Sequence, residues 1–178
     1  KDDPDFPVLQ RGIQNDAFVR EAGGKTDVLG EVWPGAARFP DFLRPEVRNW
    51  WGDEQRALLD LGISGIWNDM NEPANCARPD KKLPPDAVHQ TDSGPQPHAA
   101  VQNLFGQAMA QASRDGLLRQ RPDERPFVVT RAGYAGIQRH AIVWTGDTSS
   151  HWDHLRDALP MLLNLSLSRV PFCGGDVG

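Results

Sequence analysis

The chain has 178 residues, 39 % of them apolar and 24 % charged, which is ordinary for a globular protein and suits a single core. A net charge of −5 without any run of basic residues argues against a nucleic-acid partner. No run of 18 apolar residues occurs, so no membrane-spanning helix is expected.

Residues 1–27 are polar, carry Pro4, Pro7 and Gly23-Gly24, and read as loop with a short hairpin around Phe18-Val19-Arg20. Val28 to Trp33 reads as a strand stopped by Pro34-Gly35, and 36–44 as loop. From Pro45 the apolar residues Val47, Trp50, Trp51, Ala57, Leu58 and Leu61 recur at helical spacing, and Gly62 is a natural stop. Gly65 to Met70 is the next strand. Residues 73–97 hold five prolines from Pro79 to Pro97 and read as a long loop over a binding site. A helix is expected from about Ala99 to Leu118 and strands over Pro126–Thr130 and Ala141–Thr145. The segment between those strands has room for one turn of helix. Ser150 to Leu167 reads as a helix with Ser149 or Ser150 as N-cap, and Pro171-Phe172-Cys173 starts a last strand. Five strands alternating with three helices predict an α/β fold with a parallel sheet.

Cys76 and Cys173 lie in no zinc-like spacing and read as free thiols. None of the five histidines sits at metal-ligand spacing, and no glycine-rich phosphate loop is present, so no metal or cofactor is expected. His140 and His151 flank a strand end and are given no catalytic role. The first residue is Lys1, and the chain stops as its last strand runs into loop. Both ends read as cut, and a fragment of a larger protein is expected. Free thiols lean towards the cytoplasm, but localisation is otherwise open.

Two strands turn abruptly polar at their ends. Ile63-Ser64-Gly65-Ile66 leads into Trp67-Asn68-Asp69-Met70-Asn71-Glu72-Pro73, and Ala141-Ile142-Val143 leads into Trp144-Thr145-Gly146-Asp147. Parallel α/β folds hold their chemistry at such strand ends. A pair of carboxyl groups, each beside a Trp, is what cleavage of a sugar requires, because aromatic rings pack on the apolar faces of a pyranose.

The segment from Gly65 to Pro73 resembles the nucleophile signature of glycoside hydrolase family 31, the α-glucosidase and α-xylosidase family. Further motifs follow the family's order: Val32-Trp33-Pro34-Gly35, Phe39-Pro40-Asp41-Phe42, Trp50-Trp51 and Asn103-Leu104-Phe105-Gly106, then Arg131-Ala132-Gly133-Tyr134-Ala135-Gly136, Trp144-Thr145-Gly146-Asp147 and Gly174-Gly175-Asp176-Val177-Gly178. The resemblance implies a (β/α)8 TIM barrel, of which residues 1–178 would be a partial piece, about strands three to seven, without the parent's flanking domains. It also implies that an upstream substrate-binding Asp, a downstream His and a pocket loop from an N-terminal sandwich lie outside this chain.

By the same resemblance Asp69 is the nucleophile and Asp147 the acid/base, with Trp33, Trp67, Met70, Arg131, Trp144 and Asp176 binding substrate. Trp144, three residues before Asp147, is expected to give the acid an apolar wall, and Arg131 to favour a charged Asp69. From the residues alone Asp147 could equally cap the helix that follows. Trp67 is two residues before Asp69, on the same face of an ideal strand. The implied activity is retaining hydrolysis of terminal α-linked glucose from oligosaccharides or glycans. The alternatives are an α-transglycosylase or α-xylosidase of the same family, or a non-catalytic carbohydrate-binding remnant. The partner is then an α-glucoside oligosaccharide, with no nucleic acid or membrane, and self-association through exposed sheet edges is expected of an incomplete barrel. The isolated chain is expected to be inactive.

Overall fold

The computed structural model describes residues 1–176. In chain order it comprises α1 (Pro7–Gln14), β1 (Leu29–Val32), β2 (Gly35–Arg38), α2 (Pro45–Glu54), α3 (Arg56–Leu59), β3 (Ile66–Asn68), β4 (Val88–Thr91), β5 (Gly94–Pro97), α4 (His98–Gln120), β6 (Val128–Thr130), β7 (Ile142–Trp144), α5 (Trp152–Leu167) and β8 (Cys173–Gly174). A 3-10 turn, Ile137–Arg139, fills the short step from β6 to β7, as its length requires.

The parallel sheet has the order β3-β6-β7-β8, four strands rather than the five expected. The strand at Val28–Trp33 is not part of it. Its core, β1, folds back on β2 as an antiparallel hairpin with Trp33-Pro34 at the turn, so residues 36–38 are strand and not loop. The chain reverses at Trp33-Pro34 instead of stopping there. The amino-terminal loop likewise contains α1. Pro7 stands in its first turn, where a missing N–H costs nothing, and Leu9 is buried. The hairpin around Phe18-Val19-Arg20 is reduced to isolated bridges from Phe18 to Pro40 and from Arg20 to Asp27 and Val88.

Registers Ile66↔Val128 and Asn68↔Thr130 set alternate side chains of β3 and β6 on common faces. One face meets the helices. Ile66 and Val128 pack with Leu59 and Leu117, while Val143 packs with Ala110, Ile137 and Val170, against Leu165 of α5. The opposite face is open. There Trp67, Phe127, Val129 and Trp144 border a concavity of about 450 Å³. The sheet ends laterally on β3 and β8. No helix among the described residues is long and apolar enough to cross a membrane. Both cysteines are free.

The long helix α4 is the spine, and α2 crosses it at a glycine pair. A Cβ on Gly116 would lie 2.5 Å from the Gly52 Cα, and one on Gly52 would lie 2.8 Å from the Gly116 Cα. Only two residues without side chains allow this backbone approach. The helix expected to run from Pro45 to Leu61 breaks at Gln55. That side chain is 5 % exposed and donates to Ser113 of α4.

Residues 73–97 are not structureless. They end in the β4–β5 hairpin, paired from Val88↔Pro97 to Thr91↔Gly94. A buried polar chain holds it down. Asp41 Oδ1 and Nδ1 of His89 are 2.8 Å apart, and His89 Nε2 and His98 Nδ1 are 3.0 Å apart. The second Asp41 oxygen accepts from the Gln90 N–H at 2.7 Å. All three side chains are at most 3 % exposed. With both rings neutral, Asp41 accepts from His89 and His89 accepts from His98, so each buried polar atom on that line is partnered.

Burial pushes the His98 imidazole from about 6.5 down to about 4, and the neighbouring His89 and Lys82 act in the same direction. A histidine kept neutral by the fold contributes stability that is whole above its unfolded value and is lost as pH falls towards the folded one. The unfolding free energy is therefore expected to drop by on the order of 3 kcal/mol between pH 6.5 and 4, read by urea unfolding across that range. A His98→Gln variant should lose that slope, and parallel profiles for the two proteins would refute the assignment.

Candidate active site

The carboxyl ends of β3, β6 and β7 bring three sequence-distant motifs to one rim. Asp69 follows β3 directly, Arg131 follows β6, and Asp147 stands three residues beyond β7. Met70 has φ of +53°, a conformation a side chain adopts only at a cost of about 1 kcal/mol or more. The Met70 N–H donates to Asp69 Oδ1 at 2.7 Å. The chain reverses there, so that Asp69 is half exposed while Asn71 is buried.

The guanidinium of Arg131 is the centre. Its Nε and Nη2 donate to the two oxygens of Glu72 at 2.7 and 3.1 Å, a bidentate pair. Its Nη1 lies 3.1 Å from Asp69 Oδ1 and 3.5 Å from Asp147 Oδ2. Those two carboxylate oxygens, both tied to one nitrogen, can be no more than about 6.6 Å apart. The Arg131 ionisation is raised, first by the hydrogen bond to Glu72 and then by the charges of Glu72, Asp69 and Asp147. The cation is thus fixed, and it sits closer to Asp69 than to Asp147.

A cavity of about 380 Å³ opens over this cluster, lined by Trp33, Asp69, Met70, Glu72, Arg131 and Asp147 together with the segment from Ala74 to Lys82. Trp33 is 87 % exposed at its mouth. The nearer part of the 73–97 segment therefore borders the site, while its far part is the hairpin. Trp67 and Trp144 are placed elsewhere. Their rings meet edge to face at 5.2 Å, and with Asp176 they line the open concavity on the sheet face below Asp69. Val177 and Gly178, the end of the last motif, lie outside the described residues.

Two expectations about Asp147 are corrected or decided. Its side chain is 86 % exposed, so no indole wall covers it, and the Trp144 ring is buried against Trp67 instead. Three residues of extended and turning chain after the strand end carry the carboxylate away from the ring. Nor does Asp147 cap the next helix. The N-cap of α5 is His151, with no side-chain capping bond, in place of the expected Ser149 or Ser150.

Glu72 has no role assigned from sequence, although it is the one acid between Asp69 and the end of the Gly65–Pro73 segment. Asn68 and Asn71 were also passed over. Each is 2 % exposed, and a buried amide at a strand end is a signal of a structural cross-link. Ser113 of α4 donates to Asn68 Oδ1 at 3.0 Å. Among the described residues no group of three or more His, Cys, Asp or Glu side chains is placed to hold a metal ion.

The whole chain, residues 1–178, matches the family model described as the glycosyl hydrolases family 31 TIM-barrel domain. It is 46 % identical over 178 residues to Alpha-glucosidase 2 of Bacillus thermoamyloliquefaciens, covering 100 % of this chain and 22 % of that protein. It is 43 % identical over 170 residues to Neutral alpha-glucosidase AB of Sus scrofa, covering 93 % and 18 %. Its structure superposes on the Glc1Man2-bound glucosidase II alpha subunit with a TM-score of 0.90 at 34 % identity, over 100 % of this chain and 19 % of the other. For the family 31 alpha-glucosidase of Bacteroides thetaiotaomicron the TM-score is 0.81 at 43 % identity, covering 100 % and 28 %. The chain spans about a fifth of the length of the curated relatives it matches. With its parallel strands and its rim of Asp69, Arg131 and Asp147, the chain belongs to glycoside hydrolase family 31 and forms part of that family's TIM-barrel domain.

Proposed function

We propose that this chain is the central part of the catalytic barrel of a longer retaining α-glucosidase that releases terminal α-linked glucose from oligosaccharides or glycans. The observation that carries the reading is the convergence of Asp69 and Asp147 on one nitrogen of Arg131. Retaining glycosidases hold their carboxyl groups about 5–5.5 Å apart, and inverting ones about 6.5–9.5 Å. The upper bound set by Arg131 lies below nearly all of the inverting range and is compatible with the retaining one. Relatives named as alpha-glucosidases support glucose as the sugar released.

In this reading Asp69 attacks the anomeric carbon while Asp147 gives its proton to the leaving oxygen. The glycosyl-enzyme ester is then cleaved by water, from which Asp147 takes a proton. Two inversions return the α configuration. Arg131, held by Glu72, keeps positive charge beside the nucleophile in both steps. The exposed Trp33 ring offers a stacking surface at the cavity mouth, and Met70 borders the same space. Trp67, Trp144 and Asp176 would support the floor beneath.

A closed barrel needs more than four parallel strands. The uncovered apolar side chains of α5, such as Leu159, Leu163 and Leu167, support the idea that other barrel elements cover this piece. The isolated 178-residue chain is accordingly expected to show no turnover of p-nitrophenyl α-glucoside under conditions where the longer protein is active. In the longer protein, Asp69→Ala and Asp147→Ala should each lower kcat by about 10³-fold or more. Azide should restore Asp147→Ala alone and yield α-glucosyl azide, because it needs no base to open the glycosyl-enzyme. Turnover surviving the loss of Asp69 without added nucleophile, or a β-configured azide product from Asp147→Ala, would overturn the mechanism. Glu72→Gln replaces a charge-assisted pair, each bond of which is worth about 1.5–3 kcal/mol, so kcat/KM should fall about 10- to 100-fold. A change within twofold would remove Glu72 from the site.

A further inference from the structure

Asp69 and Arg131 each sit on the rim, yet neither is braced to the other's strand only through their own exposed ion pair. Directly behind them lies a buried link. Asn71 Nδ2 donates to Thr130 Oγ1 at 2.8 Å, and the Ala132 N–H donates to Asn71 Oδ1 at 3.1 Å. The Thr130 hydroxyl donates onward to the Ala132 carbonyl at 2.8 Å. Asn71 thus grips the residues on both sides of Arg131, from a position two residues after Asp69. Asn71 is 2 % exposed and Thr130 is fully buried. Neither lines the cavity over Arg131.

The third side of the link is α4. Asn71 Nδ2 also reaches the Gly106 carbonyl at 3.5 Å. A Cβ on Gly106 would come within 2.8 Å of both the Asn71 carbonyl oxygen and the Ala132 Cβ. Helix α4 therefore seats against the turn and the strand end together, and the seat exists only because residue 106 has no side chain.

We propose that Asn71 and Thr130, seated on Gly106, are positioning residues that set the Asp69–Arg131 geometry, and so the rate of the chemical step rather than substrate affinity. This rests on the assignment of Asp69 as nucleophile. The physical reason is that an ion pair at a half-exposed rim is compliant, whereas buried amide and hydroxyl bonds have one satisfied arrangement. A displacement of about 1 Å at reacting atoms costs about 10²-fold in rate.

The test uses the longer protein that carries this chain. Thr130→Val keeps the shape of the side chain and removes the hydroxyl, and Thr130→Ser keeps the hydroxyl. With p-nitrophenyl α-glucoside, Thr130→Val is expected to lose about tenfold or more in kcat with KM within about twofold, and Thr130→Ser to stay within about threefold of the parent. A crystal structure of Thr130→Val should show the Arg131–Asp69 contact lengthened from 3.1 Å to beyond about 4 Å. Gly106→Ala retains every polar group but forces the seat apart, and it should repeat the kcat loss where Thr130→Val does not fold. Unchanged kcat with a lowered melting temperature, or an unchanged contact distance, overturns the proposal. A parent protein without turnover of any α-glucoside would refute the α-glucosidase reading instead, and the contact distance would still decide the link.

Discussion

A single guanidinium gathers the negative charge at the open end of the sheet. Three carboxylates, those of Asp69, Glu72 and Asp147, lie within 3.5 Å of Arg131. Without a cation among them, like charges this close would repel and spread the three strand ends. With it, the rim holds Asp69 and Asp147 side by side and still leaves both reachable from the cavity. The Glu72 pair occupies the rigid fork of the guanidinium, so its remaining nitrogen is aimed at the other two. A lysine could supply the charge but not that fixed division of donors.

The rim depends in turn on how closely α4 can approach. At Gly52 and Gly116 helix meets helix at backbone contact, and at Gly106 helix meets strand end in the same way. Buried amides then fix what the close packing permits: Gln55 and Asn68 meet on Ser113, and Asn71 meets Thr130. Each of these bonds forms only in one register and one docking of the helix. The Asp41–His89–His98 chain does the same for the hairpin beyond the cavity.

Much of this was legible beforehand, and the failures have causes. The strands at Asp69, Arg131 and Asp147 and the helix before β6 follow from apolar periodicity ended by polar residues, which is a local signal. The amino-terminal helix is hidden because the segment 1–27 is polar and rich in Pro and Gly, yet Pro7 stands at a helix start, where it is tolerated. The antiparallel pairing of β1 was missed because alternation within four residues does not say which neighbour a strand will choose. The hairpin at 88–97 was hidden by its prolines. They occupy positions in a two-stranded ribbon that need no sheet partner on the far side. Asp147 stands out in solvent because the residues between it and Trp144 leave the pleat, and strand geometry stops predicting side-chain direction once the strand ends.

The sequence by itself determined the fold class and the family, and it put Asp69 and Asp147 just beyond strand ends, because motifs of consecutive residues encode strand ends without reference to distant parts. Only the tertiary structure decided that Arg131 joins those carboxylates, that Glu72 holds it, and that Asn71 is buried against Thr130. It also decided that Trp67 and Trp144 pair beneath the cavity rather than around Asp147. Each of these joins segments far apart in the chain. Their distances depend on strand register, on where helices can touch and on which buried polar groups find partners. Those quantities are properties of the packed whole, and no window of neighbouring residues carries them.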